Sequence, residues 1–181
     1  GYKKKVAADY TISSGGTGTL DTDVESFLTT AAIENDTIKY ALNEFVTRIK
    51  ANGLWSKLKV IYPFVGGTSS THSRNLKAPG SYQITWNGTV THNRYGITGN
   101  GTNGYGATTI NNTNFVTANN VGVTYVTRTG AAASDVEWGN GAFYMGINFP
   151  GLVINDNGDY LTFSGIDTAG IYTGQRVGTN L

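Results

Sequence analysis

The stretch from Gly53 to Gly106 reads GLWSKLKVIYPFVGGTSSTHSRNLKAPG and then SYQITWNGTVTHNRYGITGNGTNGYG. Its first part is apolar and basic and stops at Tyr62-Pro63-Phe64-Val65-Gly66-Gly67. Everything beyond is rich in Gly, Asn and Thr. The junction therefore predicts a helical segment on one side and a β module on the other. Proline removes a backbone donor and restricts the residue before it, so Pro63 ends any helix and keeps Tyr62 extended.

Upstream, Gly1 to about Leu20 includes ISSGGTGTL, a Gly/Ser/Thr run with linker character. Residues 1–20 are thus expected to be an extended docking arm, followed by a helical segment over 21–79. Thr22 and Glu25 have capping-box spacing and predict a first helix through Val24, Phe27 and Leu28 toward Ala32. Asn35-Asp36 opens a second. Its apolar residues Ile38, Leu42, Phe45, Val46 and Ile49 recur with a helical period, and Asn52-Gly53 supplies a left-handed stop. A further helical turn or two is expected over Leu54–Ile61, with Lys57 and Lys59 in water.

After Pro79 the period falls to two. SYQITW, TYVTR, AFYMGINF, LVIN and DYLTFSG read as strands, and Asn157-Gly158 as a hairpin turn. Gly96 to Gly106 reads as one long loop. Roughly eight to ten short strands over 80–181 predict a mainly β fold, a jelly-roll or β-sandwich module with a short N-terminal helical segment.

Composition agrees. Charged residues make up only 14% while Gly reaches 25, which suits a β-rich chain with tight turns and an uncharged polar surface. The net charge of +1 exerts no pull toward nucleic acid or membrane, so neither is an expected partner. Basic residues crowd the first half: only Arg94, Arg128 and Arg176 follow Ser81. Lys3, Lys4 and Lys5 read as a solvated tail or a contact with a neighbouring subunit. The absence of Cys excludes disulfides, thiolate zinc sites and a thiol nucleophile. No apolar run approaches the roughly 20 residues that span a bilayer.

The motif GLWxKxKxIYPFVGG, then His-x-x-Asn-Leu-Lys, then THxxxG and NGTNGY, resembles a module of bacteriophage and prophage structural proteins. Here it is carried by Trp55, Lys57, Tyr62-Pro63-Phe64, His72, Asn75-Leu76-Lys77, Thr91-His92 and Asn100 to Tyr105. The resemblance covers about residues 21–110 and, more loosely, the remainder. It implies a concanavalin A/laminin G-like jelly roll in a tail, a head fibre or a capsid decoration. The expected partners are other virion proteins and copies of the chain itself, in the virion, with no cofactor and no catalysis. Members of that group continue past the point matching GIYTGQRVGTN. The resemblance thus implies a sandwich incomplete at Leu181, either cut short or completed by another chain, and open sheet edges favour assembly.

Candidate chemistry is sparse. No Asp or Glu occurs between Glu44 and Asp135. Asp135-Val136-Glu137 partly resembles the Glu-x-Asp-x-x-Glu run of jelly-roll glucanases, but Ala133 replaces the leading Glu. Glycosidic hydrolysis needs two carboxyls about 5 to 9.5 Å apart in a cleft, so a solvated strand face or turn is the better reading. Asn155 to Asp159 has calcium-loop letters without the distal Glu, and a hairpin explains them equally. His72 and His92 are the chain's two histidines; without neighbouring acids or thiols, a structural role is favoured over a metal site, each ring bonded to loop backbone. The alternative function is a carbohydrate-binding or host-attachment module for a host-surface glycan. Exposed aromatics would stack on sugars there, and Trp86, Tyr95, Tyr105 and Trp138 are the candidate contacts.

Overall fold

The structure, a computed structural model, describes residues 19–110, 120–128, 135–139, 143–148, 151–156, 159–164 and 169–177. It combines a helical part with antiparallel strands in small sheets. Described residues up to Thr108 form one compact unit and those from Thr109 a second. Residues 80–108, read from sequence as the start of the β module, lie within the first. The proposed arm over 1–20 falls almost wholly outside the described residues.

Helix α1 spans Thr22–Ala31 and α2 spans Asp36–Ala51. The cap of α1 sits one residue earlier than the capping-box spacing predicts. Asp21, not Thr22, is extended, and its carboxylate accepts from the Asp23 N–H. An aspartate in that place also meets the positive end of the helix dipole. Asn35 caps α2 as expected, accepting from the Ile38 N–H at 3.1 Å. At the far end Gly53 takes φ 67°, its N–H donating to the Lys50 carbonyl and that of Leu54 to the Ile49 carbonyl. These paired bonds satisfy carbonyls that the ending helix leaves open.

The two helices are tied end to end. Lys50, in the last turn of α2, reaches Asp21 Oδ1 at 2.7 Å and Asp23 Oδ2 at 2.5 Å. The Asp21 N–H donates to Asn43 Oδ1. Burial pushes the Asp21 carboxyl up, but Lys50 and the backbone donors of Asp23 and Val24 together hold it below its ordinary value. The Lys50 ammonium is raised, first by its hydrogen bond to Asp21.

The core comprises Val24, Phe27, Leu28, Ala31, Ile33, Leu42, Val46 and Leu76, with Leu20, Ile38, Trp55, Ile61 and Val65 packed on it. The amphipathic faces are thus covered by each other and by the segment from Trp55 to Leu76. Phe45, expected on the buried face of α2, is 44% exposed, whereas Leu42 and Val46 are buried. The buried stripe follows 38, 42, 46 and 49, leaving Phe45 on its flank.

The helix expected over Leu54–Ile61 shrinks to a 3-10 turn, Trp55–Lys57, and Leu58 is already extended at ψ 137°. The cause lies at Ile61. Its N–H donates to Asn75 Oδ1 and its carbonyl accepts from the Leu76 N–H, so both its backbone groups are used across the fold.

A one-turn helix α3, Ser69–His72, precedes four short strands. Strand β1 (Thr85–Asn87) pairs with β4 (Tyr105–Ala107), and between them in sequence lies the hairpin of β2 (Val90–Asn93) and β3 (Gly96–Gly99). Gly96 to Gly106 is therefore not one loop. Strand β3 (GITG) and the start of β4 (YGA) fall inside it, pairing through the backbone with little side-chain burial.

In the second unit, β5 (Asn120–Thr127) pairs with β10 (Gly170–Val177). Between these two in sequence runs an antiparallel meander of β6 (Asp135–Gly139), β7 (Phe143–Asn148), β8 (Gly151–Asp156) and β9 (Asp159–Ser164). Asp156 stands opposite Asp159, which is hairpin geometry; Asn157 and Gly158 themselves lie outside the described residues. On the β5–β10 ribbon the rings of Tyr125 and Tyr172 lie 5.5 Å apart. Val126 and Ile171, opposite one another, are 65% and 72% exposed.

Phe27 is fully buried at the centre of the helical core. Its replacement in Phe27→Ala is expected to destabilise the first unit by about 3–5 kcal/mol. Urea denaturation followed by helical circular dichroism measures the loss, and a change under about 1 kcal/mol would contradict the assigned core.

Candidate functional site

The motif residues that lie far apart in sequence converge in the first unit. The chain leaves Ile61 extended, and the Tyr62 hydroxyl donates to the Tyr82 carbonyl. Burial pushes the Tyr62 phenol up to about 12. Phe64 then takes φ 49°, a left-handed conformation rare for a bulky side chain. Such a residue stores on the order of 1–3 kcal/mol of strain, so its surroundings must hold it there. Its ring stacks on Tyr62 at 6.3 Å, meets His72 edge-on at 6.0 Å and lies 6.3 Å from Trp86.

Gly66, at φ 89°, turns the chain back. A Cβ there would also come within 2.8 Å of the Thr71 side chain, so only glycine fits. Thr68 caps α3 with a reciprocal Thr68–Thr71 capping box, which fixes the turn carrying His72.

His72 is fully buried, and its two ring nitrogens have definite partners. Nε2 accepts from the Gly67 N–H at 3.2 Å, and Nδ1 lies 3.1 Å from Nδ1 of His92, on β2. These partners assign the tautomers. A nitrogen that accepts carries no proton, so neutral His72 holds its proton on Nδ1 and donates it to His92. His92 accepts on Nδ1 and is protonated on Nε2. Burial pushes the pKa of His72 down, with the neighbouring His92 adding to the effect; burial lowers that of His92 as well.

The same assignment disfavours a metal. For Nδ1 of His72 to bind a cation, its proton would have to move to Nε2, opposite the Gly67 N–H donor. Among the described residues no three His, Cys, Asp or Glu side chains gather as a ligand set. His72 does bond loop backbone, as sequence reading expects of both rings. The bond described for His92 runs instead to His72.

Asn75 is the second buried polar group, with no exposed surface. Its Oδ1 accepts from the Ile61 N–H and the Lys77 N–H, both at 3.1 Å, while Nδ2 has no partner. Sequence reading quoted Asn75 as motif but missed this work. The available signal was local: an Asn two residues before Lys77 forms an Asx turn. Lys77 then returns over Trp55, its Nζ 4.1 Å from the ring centroid and 3.0 Å from the Trp55 carbonyl oxygen. Asn100 organises the NGTNGY stretch in the same way, Oδ1 accepting from the N–H groups of Thr102, Asn103 and Gly104.

The candidate glycan contacts part company. Trp86 is half-buried, its indole N–H donates to the Ser69 carbonyl at 2.9 Å, and it meets His92 at 4.7 Å. It belongs to the cluster around His72. Tyr95 and Tyr105 are 55% and 59% exposed, at the β2–β3 turn and at the start of β4, and Ile97 on β3 is 37% exposed. Trp138 pairs through its backbone opposite Met145; its side chain lies outside the described residues. The register of β6 shifts between Val136 and Trp138, interrupting the alternation that would place Asp135 and Glu137 on one face.

No family model matches the chain, and no curated protein or solved structure matches it. Its chemistry is read from its own residues.

Replacing Asn75 by Ala strips the acceptor from two backbone donors. Asn75→Ala is expected to cost about 2 kcal/mol, since each of the two part-buried donors left open costs about 1 kcal/mol, the low end of the range for a buried group. A thermal melt of the variant alongside the parent measures it, and an unchanged midpoint would show that the carboxamide holds nothing.

Proposed function

We propose that this chain is a structural component of a bacteriophage particle, a tail, head-fibre or capsid-associated protein acting through non-covalent contacts. The observation that carries the reading is the convergence of Tyr62, Phe64, His72, Trp86 and His92. The residues whose motif resembles that of phage structural proteins are used here to hold one another in place. Their polar groups bond one another or the neighbouring backbone, which suits a scaffold.

The jelly-roll assignment belongs to the same proposal. The antiparallel strands favour it, as does a second unit in which β5 and β10 bracket a four-stranded meander. Val126 and Ile171 offer an apolar surface on that unit, suited to burial against a neighbouring virion protein or another copy. Mass spectrometry of purified, intact particles is expected to find the chain in multiple copies. Its absence from particles of a strain that expresses it would overturn the assignment.

A host-glycan role has one specific observation in its favour, the exposure of Tyr95 and Tyr105 in the first unit. Under that reading the chain binds oligosaccharides on a glycan array. The double replacement Tyr95→Ala and Tyr105→Ala would then weaken binding at least about tenfold with the melt unchanged, two stacked rings together exceeding 1.4 kcal/mol. An array without signal removes this reading and leaves the structural one standing.

A further inference from the structure

The His72–His92 bond joins two pieces of chain that share no strand pairing. On one side is the turn from Gly66 through α3; on the other is the β2–β3 hairpin. Its geometry works only with both rings neutral. The Nδ1 of His92 has a single lone pair, and the His72 proton occupies it. A second proton arriving there would set two N–H groups against each other at 3.1 Å. Protonation of His72 on Nε2 would set another donor against the Gly67 N–H.

Among the described residues no carboxylate is paired with either ring. The sequence holds no Asp or Glu from residue 45 to residue 134. The titratable and charged groups on the elements around the pair are Tyr62 on the incoming segment, Arg74 and Lys77 after α3, and Arg94 and Tyr95 at the hairpin turn. Three are cations and two are neutral phenols. Phe64 and Trp86 fill the remaining space against the rings. Asp21, Asp23 and Glu44, in the helical part, are paired with Lys50 and Arg48.

We propose that the two histidines form a proton-controlled latch, which fastens the β2–β3 hairpin to the Gly66–His72 turn at neutral pH and releases it in acid. An opened hairpin lets His92 charge in water, so the open form binds more protons than the closed one. The latch is therefore closed above the ordinary imidazole value, about 6.5, and weakens as pH falls below it. The Gly67 amide is the internal reporter, because its hydrogen bond to His72 breaks when the turn loosens. The latch is independent of the particle assignment and of any glycan.

Nuclear magnetic resonance on the full chain tests it. At pH 8 the ring nitrogens should show a proton on Nδ1 of His72 and on Nε2 of His92. Below about pH 6.5, amide protection at Gly67 and in β2–β3, corrected for intrinsic exchange, should fall up to about tenfold per pH unit. The amide of Val46, in α2, should keep its protection over the same range. His92→Asn places an amide oxygen near the acceptor position and cannot titrate, so its profile should be much flatter. The proposal is overturned by the opposite tautomers, by equal loss at Val46 and Gly67, or by a His92→Asn profile as steep as the parent's. Should that variant not fold, the tautomers and parent profile decide alone.

Discussion

One buried carboxamide sets the course of the chain through the first unit. Asn75 Oδ1 takes the Ile61 N–H that a helix over 54–61 would have used, and the Leu76 N–H takes the Ile61 carbonyl. Those bonds end the helix early and lay Ile61 along Asn75 and Leu76. Only then can Ile61 and Val65 cover the helical core and Leu76 enter it. Leaving these backbone groups open in the interior would cost far more than a propensity preference in a short segment gains. Tertiary hydrogen bonding therefore overrides the local tendency toward helix.

The extended course delivers Phe64, Gly66 and Gly67 to the place where His72 sits. A left-handed phenylalanine persists only when its neighbours leave no better conformation, and rings on three sides do that. The Gly67 amide, brought to Nε2 of His72, fixes that ring's tautomer, and through it the tautomer of His92. A conformational constraint at residues 64–67 thus becomes a protonation constraint on strand β2.

These relations explain what could be read in advance. The helices were legible because their signals are local: an Asn cap, an apolar stripe at 38, 42, 46 and 49, and a terminal Gly53. The turn proline at 63 was legible for the same reason. Strands β3 and β4 were not, because Gly-Ile-Thr-Gly and Tyr-Gly-Ala are too short and too glycine-rich to show alternation; they pair through backbone groups that every sequence has. The pairing of His72 with His92 was beyond reach too. Their separation in sequence carries no hint that a glycine amide orients one against the other.

The exposed aromatics follow from the same economy. Tyr62, Phe64, Trp86 and both histidines are used inside the cluster, so whatever the first unit presents outward must come from elsewhere. Tyr95 and Tyr105 sit where the chain reverses and re-enters a strand, and the Arg94 guanidinium lies over the Tyr95 ring. A bonded polar interior and exposed aromatics at turns divide the labour between holding a shape and touching something else. The groups with unusual environments, His72 and Asn75, are the ones farthest from solvent and already bonded to the chain itself.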